Sequence, residues 1–145
     1  MTPSTNRSDA LARALHAGIE RDWRTIRELC VDDVRTWTPA LSASSTTELL
    51  ALLSRRDDAF SEVDLEVVPL EVAGDFACVE WTAAMTHSGP LTVGGGDVVE
   101  PTGIRVILNG VTVAEFRGDR ICALRQYWDE LSVFEQLGLL APEAT

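Results

Sequence analysis

Few polar side chains in this sequence stand where they could do chemistry. His87 closes a strand-like run, where an imidazole serves as acid or base near neutral pH or simply stands exposed at a strand end. Asp129 offers a carboxylate base or, directly before the Leu131 to Leu137 segment, a helix cap. Trp37, Trp81 and Trp128 offer broad aromatic faces that could wall a cavity for a flat or polyene-like ligand, and core packing accounts for Trp81 equally well. Glu80, between Val79 and Trp81, calls for a partner such as Arg105 or Arg125 across the sheet. With His16 and His87 as the two histidines, no His-x-His and no paired carboxylate cluster, metal binding is not expected. The Gly94-Gly95-Gly96 triplet lacks the strand, the following helix and the Lys of a phosphate loop, and no cofactor is expected.

These residues need a scaffold, and 145 residues of 46% hydrophobic and 24% charged composition suffice for one packed domain, 1–145. Its ordered core is expected over 9–140. A formal net charge of −11, with Arg at all twelve cationic positions, repels phosphates, so neither nucleic acid nor a membrane surface is expected as a partner. Cys30, Cys78 and Cys122 are odd in number and widely spaced, which fits a reducing cytoplasm better than a disulfide framework. Met1 to Asp9 is polar, and no apolar run reaches the roughly 20 residues of a membrane span, so neither a signal peptide nor an anchor is expected.

Ser8 or Asp9 caps an expected first helix that places Leu11, Leu15, Gly18 and Ile19 on one face. Trp23, Ile26, Leu29 and Cys30 continue as a second helix, and Val34 to Thr38 reads as a short strand stopped by Pro39. Ser45 and Glu48 form a capping box for a third helix whose stripe runs through Leu49, Leu50, Leu52 and Leu53 to Phe60. Four period-two runs follow: Val63 to Val72, Phe76 to His87, Gly103 to Phe116 and Ile121 to Asp129. Short turns make them an antiparallel, strongly curved sheet, while the long 88–102 connection is expected to be mobile. Helices before strands give an α+β domain with helices on one sheet face. Alternation turns Ile104, Val106, Leu108, Thr112, Ala114 and Phe116 inward, and Arg105, Asn109 and Glu115 outward. Ile107, Val111 and Val113 join Arg105 and Tyr127 on an outer face too apolar to stay wet, which points to a homodimer.

The closing stretch Arg120-Ile121-Cys122-Ala123-Leu124-Arg125-Gln126-Tyr127-Trp128-Asp129-Glu130-Leu131, followed by Gln136-Leu137-Gly138-Leu139-Leu140, resembles the SnoaL-like polyketide cyclases. Their wider superfamily includes nuclear transport factor, ketosteroid isomerase and limonene epoxide hydrolase. Asp32-Asp33 before a strand ending in Trp-x-Pro, Glu80-Trp81, His87-Ser88-Gly89-Pro90 and Pro101-Thr102-Gly103 carry the same resemblance. It implies a cone-shaped curved sheet wrapped around N-terminal helices, an internal apolar pocket and a hydrophobic small-molecule substrate.

The family register turns Cys122, Leu124, Gln126 and Trp128 into that pocket and leaves Arg125 and Tyr127 outside. At the cyclases' acid/base Asp this sequence has Gln126, and at their His it has Thr112. The isomerases' base, Tyr and protonated Asp fall at Thr38, near Ala14 and at Thr112. Amides and alcohols do not titrate near neutrality, which disfavours both proton-transfer mechanisms. The expectation is therefore a polyketide cyclase working by orientation, pericyclic closure included, with Gln126, His87, Asp129 and Thr112 as candidate catalytic residues. Trp37, Trp81, Leu108, Phe116, Leu124 and Trp128 are the candidate substrate wall. An acid/base isomerase, an epoxide-hydrolase-like enzyme and a ligand-binding dimer are the alternatives.

Overall fold

The computed structural model describes residues 3–55, 59–70 and 73–140, with side chains from Arg7 onward. The first helix, α1 (Pro3–Glu20), starts at Pro3 rather than at Ser8 or Asp9, consistent with the preference for proline in a first helical turn. Arg21, at φ 58°, breaks it. Asp22 then caps α2 (Trp23–Leu29) by accepting from the Thr25 backbone N–H at 3.2 Å and its hydroxyl at 2.6 Å. Those two bonds hold the Asp22 carboxyl below its usual range. Strand β1 (Cys30–Trp37) begins four residues before the expected Val34, where the Arg120 guanidinium takes up the Arg27 and Cys30 carbonyls at the end of α2.

The Thr38 hydroxyl accepts from Ala40 and Leu41 N–H, both at 3.0 Å, and folds the Pro39 turn back into β2 (Ser42–Ala43). The expected capping box starts α3 (Thr46–Ser54): Ser45 Oγ accepts from Glu48 N–H at 3.0 Å, and the Glu48 carboxylate accepts from Ser44 N–H at 3.2 Å. The helix does not reach Phe60, which opens β3 (Phe60–Leu70) instead. Four consecutive charges at positions 55–58 interrupt the apolar stripe; positions 56–58, and the expected strand end at Val72, lie outside the described residues.

Next come β4 (Phe76–His87), β5 (Leu91–Thr92), β6 (Val98–Val99), β7 (Arg105–Arg117), β8 (Arg120–Trp128) and α4 (Glu130–Gln136). The 88–102 connection contains β5 and β6 paired as a small hairpin. The main sheet has the order β2-β1-β8-β7-β4-β3. Neighbours from β3 to β8 are antiparallel, as expected, whereas β1 lies parallel to β8 and makes the sheet mixed. That pairing joins segments some ninety residues apart, which no local pattern encodes. The sheet curves without closing into a barrel.

Helices α1 and α2 cover the inner face, where Leu11, Val34, Val79 and Ile121 are fully buried, each contributing about 2 kcal/mol of apolar burial. A smaller cluster of Met85, Val106, Val133 and Leu137 lies under α4. Ile104 precedes β7 and is exposed rather than inward. A bulge between Glu115 and Phe116 makes Cys122 the extra residue of β8, with its thiol 3.7 Å from the Glu115 carboxylate instead of in the pocket row. Arg105 is committed to Asp64 at 2.6 Å, the Glu62 carbonyl and Thr86, not to Glu80. The outer face leaves Ile107, Tyr127, Val68 and Trp37 exposed. Along the flank of β7 that β8 does not reach, the Gln136 amide exchanges two 2.8 Å hydrogen bonds with the Ile107 backbone. Among the described residues no helix is long and apolar enough to cross a membrane.

Candidate active site

Between the sheet and the helices lies a cavity of about 350 Å³. Its sheet wall includes Leu65, Trp81, Leu108, Leu124, Gln126 and Trp128, and its helical wall includes Leu15, Ile26, Leu49 and Leu53. Gly18 of α1 faces open space. The polar groups on the wall are Gln126, Thr36, Thr38 and, at the end of α1, Arg21. No carboxylate or imidazole lines it among the described residues, and no group of three or more His, Cys, Asp or Glu is placed to hold a metal. Cys30 also lines the cavity, and burial pushes its thiol up to about 11, so it stays protonated and weakly nucleophilic at neutral pH.

One row of β7 builds the polar wall. Gly110 pairs with both Trp81 of β4 and Trp128 of β8, and a Cβ on Gly110 would fall 2.2 Å from Trp81 Cζ2. The missing side chain makes room for the Trp81 indole, whose centroid lies 6.4 Å from that of Trp128 in an edge-on contact. The next inward residue, Thr112, is fully buried and sits opposite Gln126. Its hydroxyl accepts from the Trp81 indole N–H at 2.9 Å and from the Gln126 amide at 3.1 Å. Thr112 therefore stands behind the cavity wall as a support. One amide N–H of Gln126 goes to Thr112, leaving a second N–H and the carbonyl oxygen for a ligand.

Leu108, Leu124, Trp81, Trp128 and Gln126 thus converge on the cavity. Trp37 does not: it lies on the outer face, 44% exposed, with its ring 5.2 Å from that of Tyr127. Phe116 is inward but lies beyond the cavity, under the Arg7 guanidinium at 5.6 Å from its ring centroid. Asp129 accepts from Ser132 N–H at 3.2 Å and caps α4, away from the cavity wall.

His87 is neither exposed nor on the cavity wall. It is fully buried in the α4-side core, 5.5 Å from the Phe60 ring. Its Nδ1 accepts from Thr102 N–H at 3.2 Å and lies 3.0 Å from the Thr102 hydroxyl. Nε2 has no partner among the described residues.

Thr36 was not among the expected site residues. It faces inward between Val34 and Thr38, is 7% exposed, and has a buried hydroxyl without a hydrogen-bond partner. The signal available in sequence was period two: Val34, Thr36 and Thr38 share one parity, Arg35 and Trp37 the other.

A family model of SnoaL-like polyketide cyclases matches residues 9–137. A search of curated proteins finds no match. Among solved structures, a protein from Jannaschia sp. CCS1, provisionally described as a SnoaL-like polyketide cyclase, superposes with a TM-score of 0.79 at 19% identity, covering 99% of this chain and 97% of its own. IdmH from Streptomyces antibioticus, provisionally described as a polyketide cyclase, gives 0.71 at 24% identity, covering 91% and 98%. An LEH-like epoxide hydrolase from M. tuberculosis gives 0.68 at 19% identity, covering 94% and 92%.

Proposed function

The chain belongs to the SnoaL-like polyketide cyclase family, and from that premise we propose that it closes a ring in a hydrophobic polyketide-like intermediate by holding the reacting ends together inside the cavity. The observation that carries this reading is the wall itself: an apolar cavity with two tryptophans and one amide, Gln126, braced on Thr112. A proton-transfer mechanism needs a titrating group at the reacting atom, whereas the Asp129 carboxylate caps a helix and the His87 ring is enclosed elsewhere. Orientation does not need one. Restricting two ends of one chain to a near-attack geometry removes up to about 7–11 kcal/mol of barrier in the best intramolecular cases. The free N–H of Gln126 then polarises a substrate carbonyl, and Trp81 and Trp128 set the fold of the chain around it. A pericyclic closure fits this division of labour, because it requires shape and a polarising contact and no proton carrier.

The reading extends to a homodimer through the outer sheet face around Ile107, Val111 and Val113, which sedimentation at micromolar concentration checks. It also includes a reducing, cytoplasmic setting for the three free cysteines.

The experiment is single-turnover conversion of a linear polyketide intermediate across pH 6–9. Gln126→Ala is expected to slow it about ten- to a hundredfold by removing one preorganised donor, and Trp128→Ala to lower the yield of productive conformers. The rate of the wild type stays nearly flat with pH. A bell-shaped profile would replace orientation with acid/base catalysis. Binding without acceleration over buffer would make the chain a ligand-binding module.

A further inference from the structure

An inward-facing hydroxyl without a partner is costly, because burial removes its water and the protein returns nothing. Thr36 is in that position. Its Oγ is buried, it lines the cavity, and no described residue hydrogen-bonds it. Thr38, one inward position further along, contrasts with it: that hydroxyl accepts from Ala40 and Leu41 and is consumed by the turn. Valine at position 36 would keep the β-branched shape that suits a strand and avoid the cost.

The parallel pairing of β1 with β8 places Thr36 beside Leu124, one inward position before Gln126. Adjacent strands lie about 4.8 Å apart and two residues span about 6.6 Å, so the two positions are about 8 Å apart at the backbone. Both residues line the same cavity. The Thr36 hydroxyl both donates and accepts, and Gln126 keeps a free N–H and a free carbonyl. The intervening wall, Leu124, is apolar.

We propose that Thr36 is a second polar anchor of the cavity, so that the site selects an apolar molecule carrying two oxygens roughly 5–8 Å apart, one for Gln126 and one for Thr36. This rests on the reading of the cavity as a ligand site and narrows its substrate class. A molecule with a single oxygen leaves one buried polar group unsatisfied and binds more weakly. Thr36 is here a specificity-determining residue, and it takes no part in bond making.

The test uses the whole chain, with quenching of tryptophan fluorescence by 1-tetralone and by its 6-hydroxy and 7-hydroxy derivatives. Wild type is expected to bind at least one hydroxytetralone about five- to tenfold more tightly than 1-tetralone, the range of one net hydrogen bond. Thr36→Val should erase that preference, keep the affinity for 1-tetralone, and leave Tm unchanged or raised by roughly 3 °C. The Tm readout separates an anchor from a structural hydroxyl, whose loss would lower Tm. A preference that persists in Thr36→Val, no preference in wild type, or a lowered Tm overturns the anchor while leaving the cavity as a ligand site. If wild type binds none of the three, the cavity reading falls and the anchor falls with it.

Discussion

Two polar side chains of the sheet's inner face, half-buried Gln126 and fully buried His87, differ in what surrounds them. Gln126 borders empty space. Its amide is half committed to Thr112 and half open to a cavity. His87 is fully buried beside the Phe60 ring, and its Nδ1 ties down Thr102 at the end of the 88–102 connection. A histidine is the more reactive residue by type, yet here it fastens a chain segment, while the unreactive amide faces the void. Access to the cavity, more than intrinsic acidity, separates these two polar residues.

The division between open and closed surroundings can be broken most severely at Gly110. Gly110→Ala drives a methyl group into the Trp81 ring, a rigid neighbour that cannot swing aside as a long aliphatic side chain would. A loss of about 3 kcal/mol in urea unfolding is expected, with an altered near-ultraviolet tryptophan circular dichroism. An unchanged midpoint would mean that the Trp81 and Trp128 pair is not fixed over this position. His87→Ala should cost about 2 kcal/mol by emptying a packed site and freeing Thr102, with the single-turnover rate per folded molecule unchanged. A lost rate at intact stability would erase the distinction between the two residues. Asp129→Asn sharpens the comparison from the side of the smallest effect. Asparagine caps helices as well as aspartate does, so stability should move by less than about 0.5 kcal/mol and turnover by less than twofold. A large drop in turnover alone would return the Asp129 carboxylate to the chemistry.

Much of this arrangement is legible in alternation. The inward rows containing Leu108 and Thr112 on β7, and Leu124, Gln126 and Trp128 on β8, follow from period two once the register is chosen. Parity gives a face but not a depth, which is why Phe116 shares a row with Leu108 and still lies outside the cavity. Trp37 has the aromatic character of a cavity wall but the outward parity of Arg35, and parity decides its face. Thr36 escaped for the converse reason: a threonine in a strand is ordinary until its hydroxyl is found unpartnered. The hydrogen-bond partner of His87 is Thr102, fifteen residues away across a hairpin, and the parallel neighbour of β8 is some ninety residues upstream. Non-local partners of this kind leave no periodic trace.

Gln136 has a consequence for how copies of this chain meet. At 13 residues β7 is longer than β8, and its overhanging flank would otherwise present the Ile107 N–H and carbonyl as a template for a foreign strand. The two bonds from a single side chain occupy that template and end the ladder without adding a strand. Those two backbone groups are therefore closed to pairing with another strand. A glutamine on a seven-residue helix thus does for two backbone groups of β7 what a neighbouring strand would do.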